Sequence, residues 1–392
     1  MLPGSLIIGL SLLTAAAAPA QTTERSETEP LTAGWENITE KLWTQIPGYR
    51  HDPAWYNRRV GTVYVDNTTG DLYVMLCGKW GTWRSSDCGQ TWAQVDATAL
   101  GRQVENRGVC PNPITGDFVL FKVSGGPATQ SALVLDHGRH WSSVSSLGDG
   151  FRCGMADWGQ KQPTTLLAVR HHYDGPSIFL SLDAGKTWTE LPHHGGYGAA
   201  MLDADTLFFG FTKRWEENVI DGRNVEPRAW KWWVKHQPKD IMLTTDRCRT
   251  FTKVAEFAPR AETPTRYKDD LFWIAAEGVM VTRDRGRSWK RMGKPIQDLM
   301  FGPFFGSNKD TMVVVSKEGF FQTSDAGENW TKIAGMLVPA GQKAELGHPG
   351  WDPIHQVIYL GFLGDDVYRL RLNPRSGRAS TASPPRLRVQ EQ

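Results

Sequence analysis

The chain has 392 residues and a formal net charge of +2, with 22% of its residues charged. The length would suit two average domains, but repeat folds of this length often form one domain. Because the net charge is close to zero, no basic field indicates a nucleic-acid partner. The 17 Trp and 40 Gly residues favour many short strands and tight turns, with sheets that bury large rings.

Residues 1–20 have the pattern of a secretory signal peptide. Leu6–Ala18 is apolar, and Ala18-Pro19-Ala20 is a small-residue cleavage pattern, although the start lacks the usual Lys or Arg. The apolar run is too short to span a membrane comfortably. We therefore expect a secreted or periplasmic protein with no membrane span after cleavage, in which residues 21–40 form a flexible polar leader.

An eight-residue pattern recurs along the remaining chain: Ser or Thr, then Asp and Gly at intervals of two residues, then an aromatic residue three positions later. Four copies keep this pattern and two are eroded, with Val134 replacing the hydroxyl residue in one and Cys248 replacing the Gly in the other. We call the six copies the aspartate turns; they are Ser85–Trp92, Val134–Trp141, Ser181–Trp188, Thr244–Phe251, Thr282–Trp289 and Thr323–Trp330.

Each residue type in the aspartate turns has a structural reason. The hydroxyl and the carboxylate hydrogen-bond nearby backbone and close a tight turn. The Gly permits a backbone conformation that a Cβ penalises, and the aromatic residue begins the next strand and buries its ring. We therefore interpret the turn aspartates as structural, and they are Asp87, Asp136, Asp183, Asp246, Asp284 and Asp325.

The chain between these turns divides into units of four predicted antiparallel strands. In the first unit the strands are Gly61–Val65, Leu72–Leu76, Gly81–Arg84 and Thr91–Val95. Unit lengths of roughly forty to sixty residues are typical of propeller blades. The sequence therefore predicts an all-β fold.

The last unit lacks an outer strand, and the other end of the chain offers one. Gln356–Gly361 and Val367–Leu372 are predicted strands without a following turn, whereas Leu42–Ile46 is a predicted strand without a unit. Pairing these ends would close a seven-bladed β-propeller of four-stranded antiparallel blades and remove its exposed edges. We expect one domain over residues 41–373 and a disordered tail over residues 374–392.

The aspartate turns resemble the Asp-box, the bacterial neuraminidase repeat of sialidase-type β-propellers, over nearly the whole mature chain. That resemblance implies the fold, while activities in the superfamily range from sialidases, xyloglucan hydrolases and polysaccharide lyases to sortilin-like receptors and a photosystem assembly factor. Fold alone does not decide among them. A sialidase resemblance implies an Arg-Ile-Pro-type opening segment, and Asn57-Arg58-Arg59-Val60-Gly61 stands there instead.

Candidate chemistry lies in loops that face away from the aspartate turns. Histidine and tyrosine side chains there could transfer protons beside a uronic-acid carboxylate; surface loop histidines are the simpler interpretation of any single one. The predicted catalytic residues are His171, His172, His194, Tyr197 and His348.

Arginine and tryptophan side chains are candidates for substrate binding at the same face. Arginines that precede innermost strands could bind a carboxylate or sulfate, or be solvated rim residues. Tryptophans in a long insertion over residues 212–240 could stack on sugars, or pack the insertion onto the propeller. The predicted binding residues are Arg59, Arg107, Arg152, Arg170, Trp230, Trp232 and Trp233.

The sequence thus favours an exported carbohydrate-active propeller that cleaves an acidic glycan, as a glycosidase-like enzyme or a polysaccharide lyase. The alternative is a non-catalytic propeller that binds a glycan or a protein partner. No cofactor is predicted, because the five cysteines show no metal-ligand spacing. The sequence leaves undecided whether a structural cation is bound. The cysteines are Cys77, Cys88, Cys110, Cys153 and Cys248, and Cys110 and Cys153 could face each other on adjacent blades.

Overall fold

A computed structural model describes most of the chain as seven four-stranded antiparallel sheets. The described residues are 34–51, 60–76, 80–96, 108–121, 131–145, 151–170, 177–191, 198–210, 239–337, 345–363 and 366–372. Neighbouring sheets touch along their first strands, so the sheets are the blades of a seven-bladed β-propeller. The predicted fold class is confirmed.

Six blades follow one another along the chain, each with its strands in sequence order from the axis outward. Blades 1 to 3 are β2 (Val60–Val65), β3 (Leu72–Leu76), β4 (Thr82–Ser85), β5 (Ala93–Gln94); β6 (Gly108–Pro111), β7 (Phe118–Phe121), β8 (Ser131–Leu135), β9 (His140–Val144); and β10 (Phe151–Ala156), β11 (Leu166–Arg170), β12 (Ser177–Ser181), β13 (Thr189–Glu190). Blades 4 to 6 are β14 (Gly198–Met201), β15 (Leu207–Gly210), β16 (Asp240–Thr244), β17 (Thr252–Glu256); β18 (Thr265–Tyr267), β19 (Asp270–Ala275), β20 (Gly278–Thr282), β21 (Lys290–Arg291); and β22 (Leu299–Phe305), β23 (Met312–Ser316), β24 (Gly319–Thr323), β25 (Thr331–Gly335).

Blade 7 is built from both ends of the chain. Its strands from the axis outward are β26 (Glu345–Asp352), β27 (Val357–Leu363), β28 (Val367–Arg371) and β1 (Trp35–Asn37). In the outer pair, Trp35 is opposite Leu370 and Asn37 is opposite Tyr368. The ring is thus closed by strands from the two ends, as the sequence predicts.

The position of the closing strand differs from the prediction. The strand predicted at Leu42–Ile46 is wrong: Glu40–Gln45 is a helix, α1, which buries Leu42 and Trp43. A short apolar run does not distinguish a buried strand from a buried helix. Since β1 closes the ring, residues 34–40 belong to the propeller, although the sequence placed them in the leader.

The core lies between the blades, where inner strands present side chains to both neighbours. Every residue of β2 and β3 is buried, which explains why these strands are apolar, apart from Thr62, rather than alternating. Aromatic rings fill the gaps; Tyr64 and Phe118, from blades 1 and 2, have ring centroids 4.6 Å apart. In the described part of the chain, no helix has the length and apolar character needed to span a membrane.

Five aspartate turns share one hydrogen-bond pattern, which the turn in blade 3 illustrates. Ser181 donates its hydroxyl to Asp183 Oδ1 over 2.8 Å, and Thr187 donates its backbone N–H and its hydroxyl to the same carboxylate over 2.9 and 2.6 Å. The turns centred on Asp87, Asp246, Asp284 and Asp325 repeat this arrangement.

The turn at Asp136 is built differently. Its carboxylate lies 3.6 Å from Arg139 and 3.5 Å from His140, and Asp136 and His137 both have positive φ. Val134 stands in the hydroxyl position, so the donor that anchors the carboxylate in the other turns is missing. Asp136 therefore contacts Arg139 and His140 in place of the hydroxyl donor of the other turns, and its structural role stays a prediction.

Candidate binding channel

Antiparallel connection gives the propeller two distinct faces. The links from first to second and from third to fourth strands lie on one face, which holds the aspartate turns and the turn at Asp66–Asp71; we call this the turn face. The links from second to third strands and between blades lie on the other, which we call the mouth face. Each first strand therefore begins at the mouth face and ends at the turn face.

A channel of about 190 Å³ lies among the first strands of the blades. Its wall extends from Gly108 and Met300, at the mouth ends of β6 and β22, to Asn67 and Phe305 near the turn face. By volume it could hold about six waters. The first strands create this space because they diverge around the axis, with side chains directed between blades rather than along it.

Asn67 spans the turn end of the channel. Its amide group donates to the carbonyl of Pro113 in blade 2 over 2.9 Å and lies 3.3 Å from the carbonyl of Phe305 in blade 6. One side chain thus links blade 1 with both a near neighbour and a blade across the axis. Asn67 therefore crosses the channel at its turn end.

Arg266 links blades 3, 4 and 5 by hydrogen bonds at the turn face. It is 5% exposed, and its Nη1 donates over 2.8 Å to both Asp157 Oδ1 in blade 3 and the Leu202 carbonyl in blade 4. A buried guanidinium needs such partners, because an unpaired buried charge would be strongly destabilising. Arg266 and Asn67 together make this end of the channel rigid.

The described wall of the channel is nearly uncharged. Glu262 is its one carboxylate, and no Lys, Arg or His lines the part that the structure describes. Blades 6 and 7 provide an aromatic side with Phe301, Phe304 and Trp351, of which Phe304 is half-buried and the other two are buried. Apolar walls with few polar groups are typical of ligand-binding cavities.

Cys110 and Cys153 occupy neighbouring first strands in the channel wall, as the sequence predicts for adjacent blades. Both are buried, and no disulfide bond joins them. Burial raises the pKa of the Cys110 thiol to about 11. A thiol with that pKa is protonated near neutral pH, and Cys110 is therefore a packing residue rather than a nucleophile.

Arg170 is the predicted site residue whose side chain the structure describes. It ends β11 at the mouth face, and its guanidinium carbon lies 5.0 Å from the centroid of the Phe179 ring. Its Nε is buried and has no hydrogen-bond partner among the described residues. This places one cation near the mouth of blade 3.

Two further predicted residues are placed by their backbone. Arg152 lies in β10 and His348 in β26, and the strand register shifts at both positions, between Phe151 and Cys153 and between Leu346 and Pro349. Bulges of this kind re-aim side chains and are frequent beside functional sites. The predicted residues outside the described part of the chain are Arg59, Arg107, His171, His172, His194, Tyr197, Trp230, Trp232 and Trp233, with most of the insertion 212–240.

Sequence reasoning missed the residues that shape the channel. Asn67 reads as an ordinary turn residue, and its contact with Phe305 joins positions 238 residues apart. Glu262 stands before β18 in a segment without a recognisable motif. No local signal marks either residue, because the axis is formed only when all the blades are assembled.

No protein-family model matches this chain, and no curated protein matches it. Among solved structures, it is similar to YCF48 bound to D1 peptide, with 13% identity, a TM-score of 0.43, and 84% of this chain and 95% of that chain covered. It is also similar to the GH74 enzyme of Niastella koreensis, with 11% identity, a TM-score of 0.32, and coverage of 80% and 67%. PorZ of the type-IX secretion system of Porphyromonas gingivalis gives 11% identity, a TM-score of 0.43, and coverage of 80% and 37%. At these identities and TM-scores the likeness concerns the fold alone.

Proposed function

We propose that this protein is an exported, non-catalytic binding propeller whose channel receives the apolar end of an extended polypeptide. The observation that supports this is the channel, whose described wall is nearly uncharged and has an aromatic side, and which Asn67 crosses at the turn face. We further infer that the aspartate turns are Asp-boxes of the sialidase-type superfamily, and that the N-terminal apolar segment directs export.

The chemistry of the wall favours a peptide over a sugar. Recognition of sugar hydroxyls needs several converging polar side chains, and the amide of Asn67 already donates to backbone carbonyls. First strands also have an unpaired edge facing the axis, whose N–H and C=O groups can pair with the main chain of an extended segment. The volume of about 190 Å³ admits roughly one apolar residue with its main chain.

The described channel does not favour a paired-carboxylate hydrolase. That mechanism requires two carboxyl groups roughly 5 to 9.5 Å apart. Glu262 is the one carboxylate in the described wall, so a second group would have to come from elsewhere at the mouth. The described channel therefore favours a binding function over hydrolysis.

One observation favours the second candidate function, cleavage of an acidic glycan. The Arg170 guanidinium lies at the mouth face with an Nε that lacks a partner among the described residues. A cation in that position could bind the carboxylate of a uronic or sialic acid. His171 and His172 follow it directly in the chain and would be the proton-transfer groups of a lyase.

Binding to peptides of defined sequence tests the first proposal. We expect the purified protein to bind peptides with apolar C- or N-terminal residues, and to lose at least about tenfold in affinity when Thr263, in the channel wall, is replaced by Trp. Thr263→Ser is the matched control and should bind like the parent, as measured by calorimetry. Equal affinity in Thr263→Trp and the parent would contradict a channel site.

Incubation with uronic-acid and sialylated glycans tests the second candidate. Unsaturated sugar ends would indicate a lyase, and free sialic acid would indicate a sialidase. Either product, lost in Arg170→Ala but retained in Thr263→Trp, would replace the peptide-binding proposal. If no glycan product forms and the protein binds peptides, the enzymatic function is excluded.

A further inference from the structure

Two turns of the propeller differ from the corresponding turns of other blades. In blades 1 and 2 the turn after the first strand contains Thr69-Gly70 and Thr115-Gly116, whereas blade 7 has His355-Gln356 at these positions. In the aspartate turn of blade 1, Cys88 follows Asp87 at a position that varies among the turns; the other turns have His137, Ala184, Arg247, Arg285 and Ala326 there.

The two departures meet in the folded chain. The Cys88 sulfur, a carboxylate oxygen of Asp352 and a ring nitrogen of His355 all lie within 4.8 Å of one another. His355 Nδ1 is 2.7 Å from Asp352 Oδ2, and Cys88 and Asp352 are 4% and 0% exposed. His355 has 41% of its side chain exposed, so the cluster has one open side.

We propose that Cys88, Asp352 and His355 bind a divalent transition-metal ion of the zinc type across the junction of blades 1 and 7. Thiolate, imidazole and carboxylate are the three ligand types that zinc takes in proteins. Three protein ligands leave a fourth position for water on the exposed side of His355. The site lies on the turn face and is separate from the channel.

The ligand spacing fits this ion after a small rearrangement. Zinc bonds of about 2.0 to 2.3 Å in a tetrahedron put neighbouring ligand atoms roughly 3.5 Å apart. Any pair at the upper limit of 4.8 Å must therefore close by about 1 Å, while His355 Nδ1 and Asp352 Oδ2, which are 2.7 Å apart, must exchange their hydrogen bond for bonds to the ion and separate by a similar amount. Asp352 Oδ1 is held by the N–H groups of Ile354 and His355 over 2.9 and 3.0 Å, leaving Oδ2 as the ligand atom.

Arginine side chains and a tyrosine hydroxyl lie around Cys88. Arg369 donates from Nη1 to the Cys88 carbonyl over 2.5 Å, and the buried hydroxyl of Tyr359 lies beside the thiol. Burial has the largest effect on the Cys88 thiol and raises its pKa, as does the Asp352 carboxylate, and Tyr359, Arg371 and Arg369 offset this in part. A metal ion would displace the thiol proton, so its binding should weaken as the solution becomes acidic.

Space for the histidine ring is provided by the neighbouring blade. A Cβ at Gly70, whose φ is +80°, would lie 2.6 Å from His355 Cε1 and Nδ1. The related pair of His137 Nδ1 and Asp66 Oδ2, 2.9 Å apart, occurs between blades 2 and 1 without a cysteine. That pair shows that a carboxylate and a histidine alone can serve as a turn contact, and Cys88 is what distinguishes the proposed site.

Cobalt titration of the purified full chain tests the proposal. We expect one Co²⁺ per chain, with a thiolate-to-cobalt charge-transfer band that Zn²⁺ removes by competition. Because the ion joins two blades at the ring closure, saturating Zn²⁺ should also raise the thermal unfolding midpoint. A chain that binds no cobalt, or binds it without the charge-transfer band, overturns the proposal.

Substitutions by residues that other blades carry at the same positions serve as tests and controls. Cys88→Ala and His355→Thr introduce residues that other blades hold at these positions, and each should lower Co²⁺ affinity at least about tenfold. Cys248→Gly restores the repeat in blade 4 and should leave binding unchanged. Loss of the band in Cys248→Gly, or its persistence in Cys88→Ala, would contradict the site.

Discussion

Replacing Asp366 by Ala should loosen the ring closure. This carboxylate is 1% exposed, and its Oδ1 accepts hydrogen bonds from Thr39 Oγ1 over 3.0 Å, Trp43 Nε1 over 2.5 Å and Arg50 over 3.2 Å. It thereby ties the segment containing β1 and α1 to the start of β28. The variant removes the acceptor of the buried Trp43 indole, while Thr39 keeps a contact with Asn37 over 3.1 Å.

The expected loss of unfolding free energy is about 2–4 kcal/mol. A buried donor left without an acceptor costs about 1–3 kcal/mol, and the second buried hydrogen bond contributes about 1 kcal/mol. Arg50 adds little, because 47% of its side chain is exposed and exposed ion pairs are worth less than about 1 kcal/mol. Asp366→Asn retains an acceptor oxygen and should lose less than Asp366→Ala.

Urea unfolding followed by tryptophan fluorescence measures these differences, and limited proteolysis of the segment before residue 51 measures local opening. Arg50→Ala is the matched control, with an expected change below about 1 kcal/mol. If Asp366→Ala and Arg50→Ala were equally stable, the buried carboxylate would not hold the closing segment.

Two further predictions concern the aspartate turns. Gly286→Ala should cost about 2–5 kcal/mol in unfolding free energy, because φ is +80° and a Cβ would lie 1.9 Å from Phe208. The control Gly335→Ala, whose Cβ would have nothing within 4 Å, should cost less than about 1 kcal/mol in the same urea assay. Equal losses in the two variants would contradict the steric argument. Hydrogen bonds from the side chain and backbone of Thr187 lower the pKa of Asp183 to about 2, below an unfolded value of about 3.9. The stabilisation of the folded state by the ionised Asp183 carboxylate is therefore complete above about pH 4 and is lost as the pH falls through about 2. The difference in unfolding free energy between the parent and Asp183→Asn should shrink over that window. A difference that stays constant would contradict this prediction.

The repeat made the blades predictable, because each blade is a local structure. The spacing of Ser181, Asp183 and Gly185 specifies one turn through contacts within a few residues, and that turn fixes which strands pair. Short apolar segments were less predictable. Leu42 and Trp43 suit a strand or a helix equally well by pattern, and burial against blade 7 and blade 1 made them helical.

The candidate sites were harder to predict than the blades. The predicted histidines and arginines belong to loops whose neighbours come from other blades, and sequence position does not state which loops converge. The channel depends on Asn67 reaching a carbonyl in blade 6, and the proposed metal site depends on Cys88 meeting His355 across the ring closure. These contacts join residues more than 230 positions apart along the chain.

By itself, the sequence determined the blade unit, because the unit follows from turns and strands a few residues apart. The count of units and the incomplete last unit indicated seven blades closed by the two ends of the chain. Only the tertiary structure decided that Trp35–Asn37 is the closing strand, that the described wall of the channel is nearly uncharged, and that a cysteine and a histidine from distant parts of the chain lie together. The reason is physical: a propeller forms its axis and its seam only when the first and last blades are in contact.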